Sequence, residues 1–106
     1  MSTKRIMIIG YGRSINEVSA EGYRRGCQID ALLKCSLAWP ILSQMRTAYA
    51  QVFIVNAVED AALLAICLKR AQPPTDKLLT IIAANYAEGD IGRFRANPVI
   101  HSVLRG

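Results

Sequence analysis

The run at residues 51–56, QVFIVN, constrains this chain more than any other stretch. Val52, Ile54 and Val55 are β-branched and Phe53 is aromatic, which suits a pleated strand better than a helical turn. The apolar residues stand at successive positions, so a strand here must be covered on both faces. That is the pattern of a central parallel strand between two layers of helix. The uncharged run extends over residues 47–58, after which Glu59 and Asp60 open a helix with Leu63, Leu64, Ile66, Cys67 and Leu68 turned to the sheet. In such folds the C-terminal ends of the central strands carry the chemistry, which puts Asn56 in question first.

The rest of the chain repeats this alternation. Residues 4–9 (KRIMII) read as a first strand, and Gly10, Tyr11 and Gly12 as a tight turn. Ser14 is placed to cap a helix running to Arg25, with Glu17 completing a capping box, and Gly26 is a suitable stop. A second strand at residues 27–33 and a second helix at 37–47 follow; Ser36 would cap the helix and Pro40 would sit in its first turn. Pro73 and Pro74 end the third helix. Residues 78–84 (LLTIIAA) form a fourth strand, 85–94 a weak helix, and 97–100 (NPVI) a short edge strand where a proline is allowed. His101 to Leu104 would begin a last helix. Strands alternating with helices at this spacing predict an α/β fold. It is a five-stranded parallel sheet, doubly wound as a three-layer, flavodoxin-like sandwich with right-handed crossovers.

A chain of 106 residues makes one domain with one core. Its mean hydropathy of +0.22 is high for a small soluble protein, so some apolar surface is expected to meet a twin or a neighbouring domain. No run reaches the ~20 apolar residues a membrane span needs. The N-terminus lacks the shape of a signal peptide, and the three cysteines (Cys27, Cys35, Cys67) show no paired spacing. The expected setting is therefore cytoplasmic, with reduced thiols. The formal charge is +5, but the basic residues come in ones and twos along the chain. That distribution permits nucleic-acid binding without indicating it.

Few residues offer chemistry. His101 is the single histidine and has no nucleophile beside it in sequence, so it reads as an edge or surface side chain. Glu59 and Asp60 are accounted for as first-turn carboxylates, and Arg13, Arg24 and Arg25 as a solvated face. Gly10, Tyr11 and Gly12 between a strand and a helix begin like the dinucleotide pattern GxGxxG, and Asp30 falls where a ribose-binding acid would stand. Ile15 occupies the third glycine position and weakens that match.

In its order of elements, from KRIMII through AQVFIVN and LLTIIAA to NPVIHSVL, the chain resembles a response-regulator receiver domain. The resemblance places the family's magnesium-binding acids on Gly10 and Tyr11. It places the phospho-acceptor on Asn56, the hydroxyl residue on Ala83, and the lysine on Asn97, with Pro98 matching the family's proline. Each reactive position is replaced while the apolar frame is kept. The resemblance thus implies a degenerate, or pseudo-, receiver in bacterial signal transduction, independent of phosphorylation and without cofactor or catalysis. Such a domain acts through protein–protein contacts or dimerisation around residues 85–100. It would be the N-terminal part of a longer protein and control an attached transcriptional output domain, the only route to nucleic acid. A second similarity, carried by GYG, Asp30 and NAVEDAALLAICLKRA, is to the nucleotide-binding regulatory domains of potassium channels and transporters. It implies an NAD- or ATP-type ligand at Gly10, Gly12 and Asp30.

Overall fold

A computed structural model of the chain describes residues 4–71, 76–84 and 88–105. Five strands, β1 (Arg5–Gly10), β2 (Gln28–Leu32), β3 (Tyr49–Val55), β4 (Leu79–Ala83) and β5 (Ile100–Arg105), form one sheet in the order β2-β1-β3-β4-β5. Every pairing is parallel. Four helices connect them: α1 (Arg13–Arg24), α2 (Cys35–Met45), α3 (Ala61–Arg70) and α4 (Glu88–Arg95). The architecture is the α/β, flavodoxin-like arrangement that the alternation of elements predicts.

The two faces of the sheet are covered unequally. Met7, Ile9, Val52, Ile54, Leu79 and Ile81 point to one side and pack under Ala38 and Leu42 of α2, Leu64 and Leu68 of α3, and Phe94 of α4. On the other side Ile8, Val55 and Ile82 pack against Ile15 and Val18 of α1, with Ile29 and Phe53 of the sheet beside them. Gly22 of α1 is buried there, and a Cβ on it would come within 2.8 Å of the Ile6 side chain. Helix and sheet approach closely because that position has no side chain. The crossover order explains the imbalance. One connection runs leftward from β1 to β2 and three run rightward, so right-handed crossovers put α1 alone on its face.

Several local expectations change. Gly12, not Ser14, is the N-cap of α1, and no side chain caps that helix; the Ser14–Glu17 capping box is not formed. Lys34 rather than Ser36 precedes α2, and Pro40 is the sixth residue of that helix, beyond its first turn. The second helix also stops at Met45, with Arg46–Ala48 closing as a 3-10 turn. Glu59 and Asp60 lie before α3 instead of inside its first turn. The largest change is at the end. Residues 100–105 are a strand, not the start of a helix, and Asn97 and Pro98 belong to the turn before it. The Asn97 side chain accepts a bond from the Val99 amide at 3.0 Å, and its carbonyl accepts from Ile100. An asparagine bonding two residues ahead nucleates a turn more readily than an extended segment. The paired prolines Pro73 and Pro74 lie outside the described residues.

Near the start of the sheet, the Tyr49 hydroxyl donates to Asp30 at 2.7 Å, and Arg5 meets the same carboxylate oxygen at 3.3 Å. Burial, with Asp30 adding to it, pushes the Tyr49 phenol up to about 12. A phenol whose folded pKa exceeds its unfolded value supports the fold fully below about pH 10 and loses that support as pH rises towards 12. Tyr49→Phe should therefore cost about 1–2 kcal/mol in urea unfolding at neutral pH. It should also reduce the loss of stability between about pH 10 and 12, measured against wild type.

Candidate functional site

Parallel strands send their C-terminal ends to one edge of the sheet. The crevice between β1 and β3, where the chain reverses its direction of winding, is where ligands settle in such folds. Here that crevice is bounded by Gly10, Tyr11 and Gly12 on one side and Asn56 to Asp60 on the other.

Asn56 is its centre. Its backbone is left-handed, with φ of 60°, and its amide bonds to the Ile82 carbonyl at 2.8 Å. Its side-chain nitrogen donates to the Tyr11 carbonyl at 2.9 Å, while its side-chain oxygen accepts from the Ala84 amide at 3.1 Å. One amide side chain thus ties the loops after β1 and β4 to the end of β3. Asparagine suits the position twice over, since it tolerates a left-handed backbone and carries both a donor and an acceptor. A carboxylate could accept from Ala84 but could not donate to Tyr11.

The two glycines are required by the same crowding. A Cβ at Gly10 would lie 1.9 Å from the Val55 carbonyl oxygen, and one at Gly12 would lie 2.5 Å from the Asn56 nitrogen. Both also have φ between 110° and 124°, a region that glycine alone adopts readily. The GYG turn is therefore explained by close approach of backbone to β3 and to Asn56. Tyr11 is exposed, and its amide bonds to the Val55 carbonyl.

The positions that the receiver resemblance designates divide into two groups. Gly10, Tyr11, Asn56 and Ala83 are gathered at one edge, with Ala83 buried as the last residue of β4. Asn97 and Pro98 stand at the opposite edge, because they precede β5, so they cannot occupy the family's Lys-Pro position. The cation that does end β5 beside Ala83 is Arg105. Asp30, the ribose-binding candidate, lies in the middle of β2 opposite Met7 and is engaged by Tyr49 and Arg5. Gly10 and Gly12 therefore share a loop that Asp30 does not reach.

Sequence reasoning did not foresee Cys35 at this edge, and it read Asp60 as a first-turn carboxylate of the helix after β3. The Cys35 thiol points to the Ala57 carbonyl at 3.4 Å. Burial, and next the charge of Asp60, push that thiol up to about 11, so it stays protonated and unreactive near neutral pH. Asp60 takes the left-handed conformation, φ 62°, directly before α3. Spacing in the chain gives no signal for either, since both depend on how the 56–60 loop folds back over α2.

The loop tie can be measured by replacing Asn56 in two ways. Asn56→Gly should lose about 1–2 kcal/mol in chemical unfolding, since it keeps the backbone and loses the bonds. Asn56→Ala should lose about 1–2 kcal/mol more, for a Cβ held in the left-handed region without compensation. Equal losses in the two variants would mean that the backbone conformation costs nothing here.

Comparison with protein-family models, with curated proteins and with solved structures found no match.

Proposed function

We propose that this chain is a non-catalytic regulatory domain that works by contact with another protein, in the manner of a receiver domain stripped of its phosphorylation chemistry. The observation that carries the contact is the water-facing side of α2 and α3. Helix α2, CSLAWPILSQM, contains no charged residue, and α3 has charges only in its last turn. Leu37 is 50% exposed, Leu63 59% and Ile66 43%. A solvated surface helix carries a polar stripe opposite its buried one; α3 instead exposes Ala62, Leu63 and Ile66 there, while α2 exposes Leu37 and Met45 among the uncharged Ser36, Ser43 and Gln44. The apolar stripe of α3 and the uncharged face of α2, on the same layer of a basic protein, suit a partner that brings no charge of its own. A second copy of the same face satisfies that in a two-fold, isologous interface.

This differs from the surface suggested by the receiver resemblance, residues 85–100. Asn85 lies outside the described residues, Phe94, Val99 and Ile100 are buried in the core, and Arg93 and Arg95 are exposed. That segment offers charge rather than apolar area. The unreactive half of the proposal is supported by Asn56, whose amide already holds the loops and cannot form an acyl phosphate. An attached output domain in a bacterial signalling protein would be the natural receiver of such a contact.

Two measurements test the reading. Sedimentation should show a concentration-dependent dimer that Leu63→Glu/Ile66→Glu dissolves while circular dichroism stays unchanged. A wild-type monomer at every accessible concentration would refute self-association. Incubation with acetyl phosphate should leave the intact mass unaltered, and an adduct of one phosphoryl group would refute the loss of phosphorylation.

The nucleotide reading at Gly10 and Gly12 draws on one feature, the α1 N-terminus, which no side chain caps. NAD or ATP at about 100 times its Kd would add ~2.7 kcal/mol to stability. No thermal shift is expected, because Asp30 is engaged elsewhere.

A further inference from the structure

The fold sorts charge in a way the linear sequence conceals. Each helix runs back against the parallel strands, so every helix C-terminus arrives at the edge where the strands begin. Arg24, Lys69, Arg70, Arg93 and Arg95 lie in those last turns. Lys4 and Lys77 reach the same edge from loops. The Lys4 carbonyl accepts from Gln28 at the start of β2, and the Lys77 amide donates to Pro98 before β5. Of thirteen basic residues, Arg13, Lys34 and Arg105 stand at the opposite edge, which leaves ten here.

Little negative charge opposes them. Glu21 is taken up by Arg24 and Arg25, and Asp30 by Arg5. Asp76 is a further carboxylate at this edge, and Glu17 lines the same cavity as Lys4 and Arg25. Lys4, Lys69, Arg70, Lys77, Arg93 and Arg95 are all exposed, and their side chains have no hydrogen bond or ion pair with a described residue. Helix dipoles favour cations in last turns, which accounts for some of these positions. The dipoles do not account for Lys4 and Lys77, or for the near absence of balancing acids.

We propose that this edge, bearing Lys4, Lys69, Arg70, Lys77, Arg93 and Arg95, binds the phosphodiester backbone of a nucleic acid without reading its sequence. From β1 to β5, three strand spacings carry the row of cations over about 14 Å, a length that holds some four phosphates of one duplex strand. Arginine forms bidentate bonds to phosphate, and three of the six are arginines. Tyr23, 67% exposed next to Arg24, gives an unpaired base a surface to stack on. Membrane binding fits less well, because the helices meet this edge end-on and none lays an apolar face along it. The inference goes beyond the contact role proposed above and uses a different surface. It also places nucleic acid on this chain itself rather than on an attached domain.

The test is fluorescence anisotropy of the intact chain with a short duplex DNA and a single-stranded RNA across a salt series, with phosphatidylserine vesicles as a further arm. Log affinity for duplex should fall with log salt at a slope near −4, about −0.9 for each phosphate met. Arg70→Glu should weaken binding about tenfold at low salt and lower that slope by about 1. Lys34→Glu makes the same change in net charge at the far edge and should leave affinity within about twofold. Arg93→Gln/Arg95→Gln, which only neutralises, guards against a folding defect and should lower the slope by about 2. Absence of binding at about 50 mM salt would overturn the proposal, as would equal effects of Arg70→Glu and Lys34→Glu. Binding to vesicles but to neither nucleic acid would overturn it too.

Discussion

The β3 strand has a hydrogen-bonded neighbour on each side, with Val52, Ile54 and Val55 buried and Gln51 and Phe53 half-buried, and the rest of the molecule depends on that central position. Val52 and Ile54 carry the helix layer of α2 and α3, while Val55 underlies α1. Because β3 pairs in parallel with both β1 and β4, each connection must travel the full length of the sheet as a helix. That one geometric demand sets the positions of both loop edges. It also sends each helix C-terminus, and whatever residues lie there, to the edge where the strands begin.

At the edge where the strands end, structure and chemistry compete for the same residue. A receiver-like phosphorylation site needs an acid at the tip of β3, free to react. Here Asn56 is held by Tyr11 and Ala84 in a left-handed backbone, with Gly10 and Gly12 packed so closely that neither tolerates a Cβ. The amide closes the crevice that an acid would keep open. Cys35, close by, is kept protonated by burial. The result is an end of the sheet whose three loops are tied together through one side chain.

The outer surfaces divide by chemistry. The outer side of α3 ahead of its last turn is apolar, that of α2 is uncharged, and the edge carrying the helix C-termini is cationic. Apolar area contributes through burial at short range, whereas unbalanced charge acts over a Debye length of about 8 Å at physiological salt. On the two proposals above, one partner would be met by shape and another by charge without the two competing.

How much of this was legible in the chain follows from the range of each interaction. The strands KRIMII, QVFIVN and LLTIIAA declare themselves by β-branching and continuous burial, and their alternation with helices sets the α/β class. Helix caps were misplaced because Ser14 and Ser36 look like caps, but Gly12 and Lys34 are where the backbone actually turns. At the C-terminus, NPVI reads as a strand by composition, yet the Asn97 turn pushes pairing onward to 100–105. Composition therefore determined the first four strands and the helices between them, since that rests on local periodicity and side-chain shape, but not the last strand. Only the tertiary structure decided that Asn56 ties together residues 11 and 84, and that scattered lysines and arginines share one edge. Both depend on bringing distant parts of the chain together, which no local spacing encodes.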